Sequence, residues 1–190
     1  MQQVLFIHGG GLDGFEADAG LRDSLSTTLG EGYQLSYPKM PSNEDAPDFG
    51  WLNKIEEEVG VLGGAGQGII LVGHSLGASM LLKFLSQRKV SVQIAGVFLL
   101  AAPFWAGEEE WVQGLKLEEG FEERLPKNSP FFFYHCHDDE EVSFSDLEKY
   151  RERMVQSSFI ALEKGGHQFE GGMQRIAQDI VLGSKVYWNR

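Results

Sequence analysis

The chain has 190 residues, 42% hydrophobic, 12% aromatic and 23% charged, and a chain this long buries about 70% of its unfolded surface in one compact domain. That composition excludes a disordered segment, a collagen-like repeat and a coiled coil. With 28 acidic residues against 16 Lys and Arg the net charge is −12, so neither nucleic acid nor an anionic membrane is an expected partner, because both need basic patches. The single cysteine, Cys136, can form no internal disulfide. Met1 to His8 lacks the basic start and long apolar core of a secretory signal, and no stretch reaches the length of a membrane span. A soluble cytoplasmic protein is expected, built as a single domain over 1–190.

Short apolar runs alternate with helical patterns, which predicts an α/β protein with a mostly parallel central sheet flanked by helices. The residues from Val4 to Ile7 predict a buried strand running directly into His8-Gly9-Gly10-Gly11. Tyr33 to Tyr37 predicts a second strand, stopped by Pro38 and followed by a polar loop to Pro47. Trp51, Leu52, Ile55, Val59 and Leu62 then fall at helical spacing, opposite Glu56, Glu57 and Glu58. Beyond the connector from Gly63 to Gly68, the short and continuously apolar run Ile69 to Val72 gives the clearest strand in the chain. A helix is predicted over 78–85, strands over 94–101 and 131–135, a helix around 146–155, a strand around 158–162 and a terminal helix around 173–181. The acidic segment from Pro103 to Pro130, with Phe104, Trp105 and Trp111, reads either as a small cap over a pocket or as a surface excursion.

The sharpest chemical signal is Gly73-His74-Ser75-Leu76-Gly77, a G-x-S-x-G between the clearest strand and a helix. A nucleophile placed there sits on a tight turn, where the flanking glycines let backbones crowd together, and it projects at the positive end of a helix. A serine needs a base to take its proton and an acid to orient that base. Gly165-Gly166-His167 offers a histidine in a loop after the last strand. His135-Cys136-His137-Asp138-Asp139-Glu140-Glu141-Val142 offers acids just after the strand before it. The chain order is thus serine, acid, histidine.

In these motifs and this order the chain resembles the α/β-hydrolases over essentially its whole length. It is similar to the compact, lid-poor serine hydrolases of the retinoblastoma-binding-protein-like type. The resemblance implies the α/β-hydrolase fold with a minimal cap, and a catalytic triad. Its acid segment, G-x-x-D-x-x-V-P, aligns with Cys136, Asp139, Val142 and Ser143. Cys136 and Ser143 depart from that pattern, while the match at Asp139 and Val142 selects Asp139 over Asp138. The closing G-H motif matches Gly166-His167 and implies His167 as general base and later general acid. The opening H-G motif matches His8-Gly9 and implies an oxyanion hole made by the N–H groups of Gly10 and Leu76. The activity that the resemblance implies is hydrolysis of a small ester, thioester or amide through an acyl-enzyme on Ser75, with no metal and no organic cofactor.

Other readings compete with this one. A protein-interaction module could retain a weakly active triad. His135-x-His137-x-Asp139 resembles the start of a zinc-hydrolase motif, but Glu140 stands where the next histidine belongs. Gly9-x-Gly11-x-x-Gly14 spells a dinucleotide fingerprint, but the next strand ends Tyr37-Pro38-Lys39 without the acid that would hold a ribose. His8 and His74 are expected to make structural hydrogen bonds. Phe15, Phe104, Trp105, Trp111 and Phe169 fall near strand ends, where they either line an apolar pocket for a small acyl substrate or pack on their own scaffold. The oligomeric state is not fixed by the sequence.

Overall fold

The computed structural model describes residues 1–11, 13–64 and 68–187, with the backbone alone over 184–187. Six strands among these residues form one sheet: β1 (Gln2–Ile7), β2 (Tyr33–Ser36), β3 (Ile69–His74), β4 (Ile94–Leu100), β5 (Phe131–Cys136) and β6 (Ser158–Leu162). Every neighbouring pair is parallel, in the order β2-β1-β3-β4-β5-β6. Each strand matches one predicted from the sequence, with ends shifted by a few residues at most. Residues 65–67 of the predicted connector lie outside the described residues, as do residue 12 and residues 188–190 of the expected single domain.

Among the described residues eight helices surround the sheet: α1 (Gly14–Ala17), α2 (Ala19–Leu29), α3 (Trp51–Gly63), α4 (Leu76–Gln87), α5 (Glu110–Gln113), α6 (Phe121–Arg124), α7 (Ser145–Arg153) and α8 (Met173–Tyr187). Alternate strand residues face opposite sides of a sheet, and β1 sorts accordingly. Leu5 and Ile7 join Trp51 and Ile55 of α3, Phe84 of α4 and Tyr150 of α7, while Val4 and Phe6 join Leu21 and Leu25 of α2 and Ile176 and Ile180 of α8. Burial on both faces explains why the central strands are continuously apolar. No helix among the described residues is long and apolar enough to cross a membrane.

The helices α1 and α2 have no counterpart among the predicted elements. Gly20, Ser24, Ser26, Thr27 and Thr28 are weak helix formers. Leu21, Leu25 and Leu29, four residues apart, bury one stripe against the sheet and supply what local propensity lacks.

The segment 103–130 contains only the single turns α5 and α6 and packs along α4. Trp105 Nε1 donates to Ser79 Oγ at 2.9 Å, Arg124 Nε to the carbonyl of Ser86 at 3.2 Å, and buried Lys83 Nζ to the carbonyl of Lys116 at 2.6 Å. Val112, Leu115, Phe121 and Leu125 are buried beneath it.

The chain leaves β1 to form β2 on one side, then returns past β1 to form β3 on the other. Loops at the carboxyl ends of β1 and β3 therefore diverge, and an open α/β sheet presents its binding crevice at such a point.

Candidate active site

Ser75 links β3 to α4 with φ 51° and ψ −123°, a conformation that residues with a Cβ rarely adopt. The turn is held by the Ser75 N–H, which donates to the carbonyl of Leu100 at 2.8 Å, and by the Ala78 N–H, which donates to the carbonyl of Ser75 at 3.0 Å. The flanking glycines are needed for close approach. A Cβ on Gly77 would collide with the carbonyl oxygens of Ile7 and His8, and one on Gly73 would lie 2.7 Å from Ala78 Cα. The G-x-S-x-G spacing thus lets the serine turn press against the end of β1.

Ser75 is half-buried, and its hydroxyl has no hydrogen-bond partner among the described residues. It opens on a cavity of about 250 Å³ whose walls include Gly9, Gly10, Gly11, Asp13, Glu141 and His167. Among the described residues, the backbone N–H groups of Gly10 and Leu76 have no acceptor. The loop after β1 approaches the turn so closely that a Cβ on Gly10 would lie 2.9 Å from Leu76 Cδ2.

His167 lies in the loop between β6 and α8 and is 3% exposed. Its Nδ1 lies 3.0 Å from Asp139 Oδ2 and 3.1 Å from Oδ1. Asp139, just after β5, has a fully buried side chain. Its Oδ1 accepts the N–H groups of Glu141 and Val142, both at 2.9 Å, and His135 Nε2 lies 3.3 Å from its Oδ2. The neighbouring acids serve the same loop differently. Asp138 Oδ1 accepts the Gly166 N–H at 2.9 Å, Glu140 Oε2 accepts the His167 N–H at 3.2 Å, and Glu141 Oε2 stands 3.7 Å from His167 Nε2. Of the four consecutive acids, Asp139 is the one bonded to Nδ1.

Burial alone would raise the Asp139 pKa, but His135, His167 and the two backbone N–H groups outweigh it and hold the carboxyl below the usual carboxylate range. For His167, burial pushes the imidazole pKa down. The hydrogen bond and charge of Asp139, helped by the charges of Glu141 and Asp18, outweigh that and raise it above the ordinary 6.5.

Behind Ser75, His74 is buried against Asp18, with Nδ1 2.7 Å from Asp18 Oδ2 and Nε2 2.9 Å from the carbonyl oxygen of His167. Asp18 escapes the sequence reading, since no motif spacing marks it. His8, as expected, is structural: its Nδ1 lies 2.6 Å from the Gly9 carbonyl and its Nε2 accepts the Met40 N–H at 3.0 Å.

The remaining candidates lie elsewhere. Phe15 stacks on Tyr37 at 4.7 Å between ring centres, Phe104 meets Tyr150 at 5.1 Å, and Trp105 meets Trp111 at 5.6 Å. None of these four predicted pocket residues lines the cavity around Ser75, and each has aromatic packing partners instead. Phe169 is buried, its ring 6.1 Å from that of His74. Of the zinc-like residues, His135 and Asp139 meet each other, but the three do not form a ligand set. His135 Nε2 is bonded to the carbonyl of Val142 at 3.0 Å, His137 stacks on Phe144, and no group of three potential ligands among the described residues is arranged to hold a metal ion.

A parallel sheet covered on both faces, with a strained serine at a strand-to-helix turn, defines the α/β-hydrolase class of fold. The Alpha/beta hydrolase family matches residues 4–163, and the chain belongs to it. None of the curated proteins matches the chain in sequence. Among solved structures it is similar to the YdeN gene product of B. subtilis, with 19% identity, all of both chains covered and a TM-score of 0.73. It is also similar to Est1E of Butyrivibrio proteoclasticus, solved with ferulic acid bound, with 13% identity, 100% and 90% coverage and a TM-score of 0.74. A third is the thioesterase domain of the curacin biosynthetic pathway, with 17% identity, 95% and 91% coverage and a TM-score of 0.67.

Proposed function

We propose that this protein is a serine hydrolase that cleaves a small ester, thioester or amide through an acyl-enzyme on Ser75. The observation that carries the reading is the buried Asp139–His167 pair, whose Nε2 side opens on the same cavity as the unpartnered hydroxyl of Ser75. Asp139 fixes the Nδ1–H form of the ring, which leaves Nε2 as the proton acceptor. In the reaction Ser75 Oγ attacks the acyl carbon while His167 Nε2 takes its proton. The N–H groups of Gly10 and Leu76 stabilise the oxyanion, and the imidazolium returns the proton to the leaving group. Water then attacks the acyl-enzyme with His167 again as base.

The size of the cavity supports a short acyl group, and the ferulic-acid-bound Est1E and the thioesterase domain among the similar structures support the reaction class. The test is the intact mass of the protein after incubation with a fluorophosphonate. One adduct is expected on the native protein, none on Ser75→Ala, and a strongly slowed reaction on His167→Ala. Native protein that is folded yet takes no adduct overturns the reading in favour of an interaction module.

A further inference from the structure

The proposed reaction makes no use of the second His–Asp pair, although it sits directly behind the nucleophile. His74 and Asp18 are each 1% exposed. Asp18 Oδ2 takes both His74 Nδ1, at 2.7 Å, and the N–H of Gly9, at 2.7 Å, while its Oδ1 accepts Gln168 Nε2 at 3.3 Å. On its other side the His74 ring reaches the carbonyl oxygen of His167 at 2.9 Å. Three segments that are distant in sequence meet on this pair: the loop carrying Gly10, the turn carrying Ser75 and the loop carrying His167.

Hydrogen-bond accounting settles which form of the ring fits. Both imidazole nitrogens of His74 face oxygen acceptors, and a neutral imidazole has only one N–H to give. With Asp18 ionised and the ring neutral, one nitrogen lone pair would face an oxygen lone pair beside the wall of the Ser75 cavity, where both side chains are buried, an arrangement that buried polar groups avoid. The imidazolium donates at both ends, and Asp18 is its counter-ion. Around the ring, the start of α2 presents Asp18 and the loop after β1 presents the backbone of Gly9. The loop after β6 presents Gln168 and the His167 ring, with 4.6 Å between ring centres. The acids Asp139 and Glu141 lie beyond His167.

We propose that Asp18 and His74 form a buried ion pair that positions the catalytic groups by tying the His167 and Gly9–Gly11 loops to the nucleophile turn. This inference rests on the reading of Ser75 as nucleophile and His167 as base. Asp139 holds the His167 ring, and His74 holds the carbonyl of the same residue, so the ring is clamped from both ends. At the oxyanion side, Asp18 fixes Gly9, the residue that precedes the Gly10 N–H. A neutral hydrogen-bonding pair would support one loop at the expense of the other, whereas the ion pair supports both.

Two measurements test the proposal. In nitrogen-resolved NMR of the native protein at neutral pH, both ring nitrogens of His74 carry protons, and they do so equally in Ser75→Ala; a singly protonated His74 ring overturns the proposal without any variant having to fold. In Asp18→Asn, the amide still offers an oxygen to Gly9 but no charge to His74. Fluorophosphonate labelling of the folded variant is expected to slow by about 10- to 100-fold, the cost of catalytic groups displaced by a fraction of an ångström to an ångström. KM for a small ester should move by less than about threefold, since the cavity wall is kept. A folded Asp18→Asn that labels at the native rate overturns the positioning role, because a merely structural pair would change only the melting temperature. Native protein that does not label at all overturns the serine-hydrolase reading itself, and the positioning role with it, whereas labelled native protein beside an unaffected variant overturns the positioning role alone.

Discussion

Asp139–His167 and Asp18–His74 are built from the same two side chains, are both buried, and stand with their imidazoles 4.6 Å apart between ring centres. They differ in what the second nitrogen faces. In His74 it is occupied by a carbonyl, whereas in His167 it faces the cavity, with the Glu141 carboxylate 3.7 Å away. His8 supplies a third case, with one acceptor at Nδ1 and one donor at Nε2, which suits the neutral ring. On the proposed reading, the pair acts as a base where one imidazole nitrogen is left without a fixed partner. The same pair closed at both ends is a clamp.

This contrast can be attacked most forcefully at Asp139. Asp139→Asn removes the acceptor that fixes the tautomer of His167, and turnover should fall by about 10³- to 10⁴-fold with the fold retained. Asp138→Asn, which keeps one acceptor oxygen and loses at most one of the hydrogen bonds to the Gly165 and Gly166 N–H groups, should leave turnover within about tenfold of native. If the two variants trade these effects in a steady-state ester assay, the acid has been assigned one residue too late. Loss of the Asp18 charge, with its smaller effect described above, ranks next.

The pH profile sharpens the comparison further. Since the His167 pKa is raised, its protonated and inactive form persists to higher pH than for an ordinary histidine. The rate kcat/KM should therefore rise with pH through a midpoint above 6.5. Glu141→Gln removes a negative charge near Nε2, which disfavours the imidazolium and moves that midpoint down. A profile that is flat between about pH 5 and 8 would deny His167 the role of base.

The sheet was legible in the sequence because its central strands are buried on both faces and their turns are punctuated by glycine and proline. Ser75 and His167 were legible for a related reason, since each is flanked by the glycines that its loop requires. Choosing Asp139 over Asp138 needed the family pattern, because adjacent aspartates give the same local signal; in the structure their side chains serve different partners, one the His167 ring and the other the backbone of its loop. Asp18 stayed hidden. Its partner is 56 residues away, it sits between two helices of weak propensity, and one acid among Asp13, Glu16, Asp18 and Asp23 carries no spacing signal. The aromatic residues near strand ends left two readings open in sequence, and in the structure Phe15, Phe104 and Trp105 find partners in Tyr37, Tyr150 and Trp111 rather than in the cavity.

The positive φ of Ser75 also bears on how this protein trades durability for reactivity. A Cβ held in that conformation stores of order 1 kcal/mol of backbone strain, which selection for stability alone would remove. Ser75→Gly and Ser75→Ala both delete the hydroxyl, but only glycine releases the strain, although it also gains freedom in the unfolded chain. The glycine variant should therefore melt a few degrees above the alanine variant, on the order of 2–4 °C for each 1 kcal/mol in a domain of this size. If calorimetry finds the glycine variant lower by about 0.4–1 kcal/mol, the cost of its unfolded-state freedom, the turn is relaxed. If glycine melts higher, the difference measures what the fold gives up to hold a serine there.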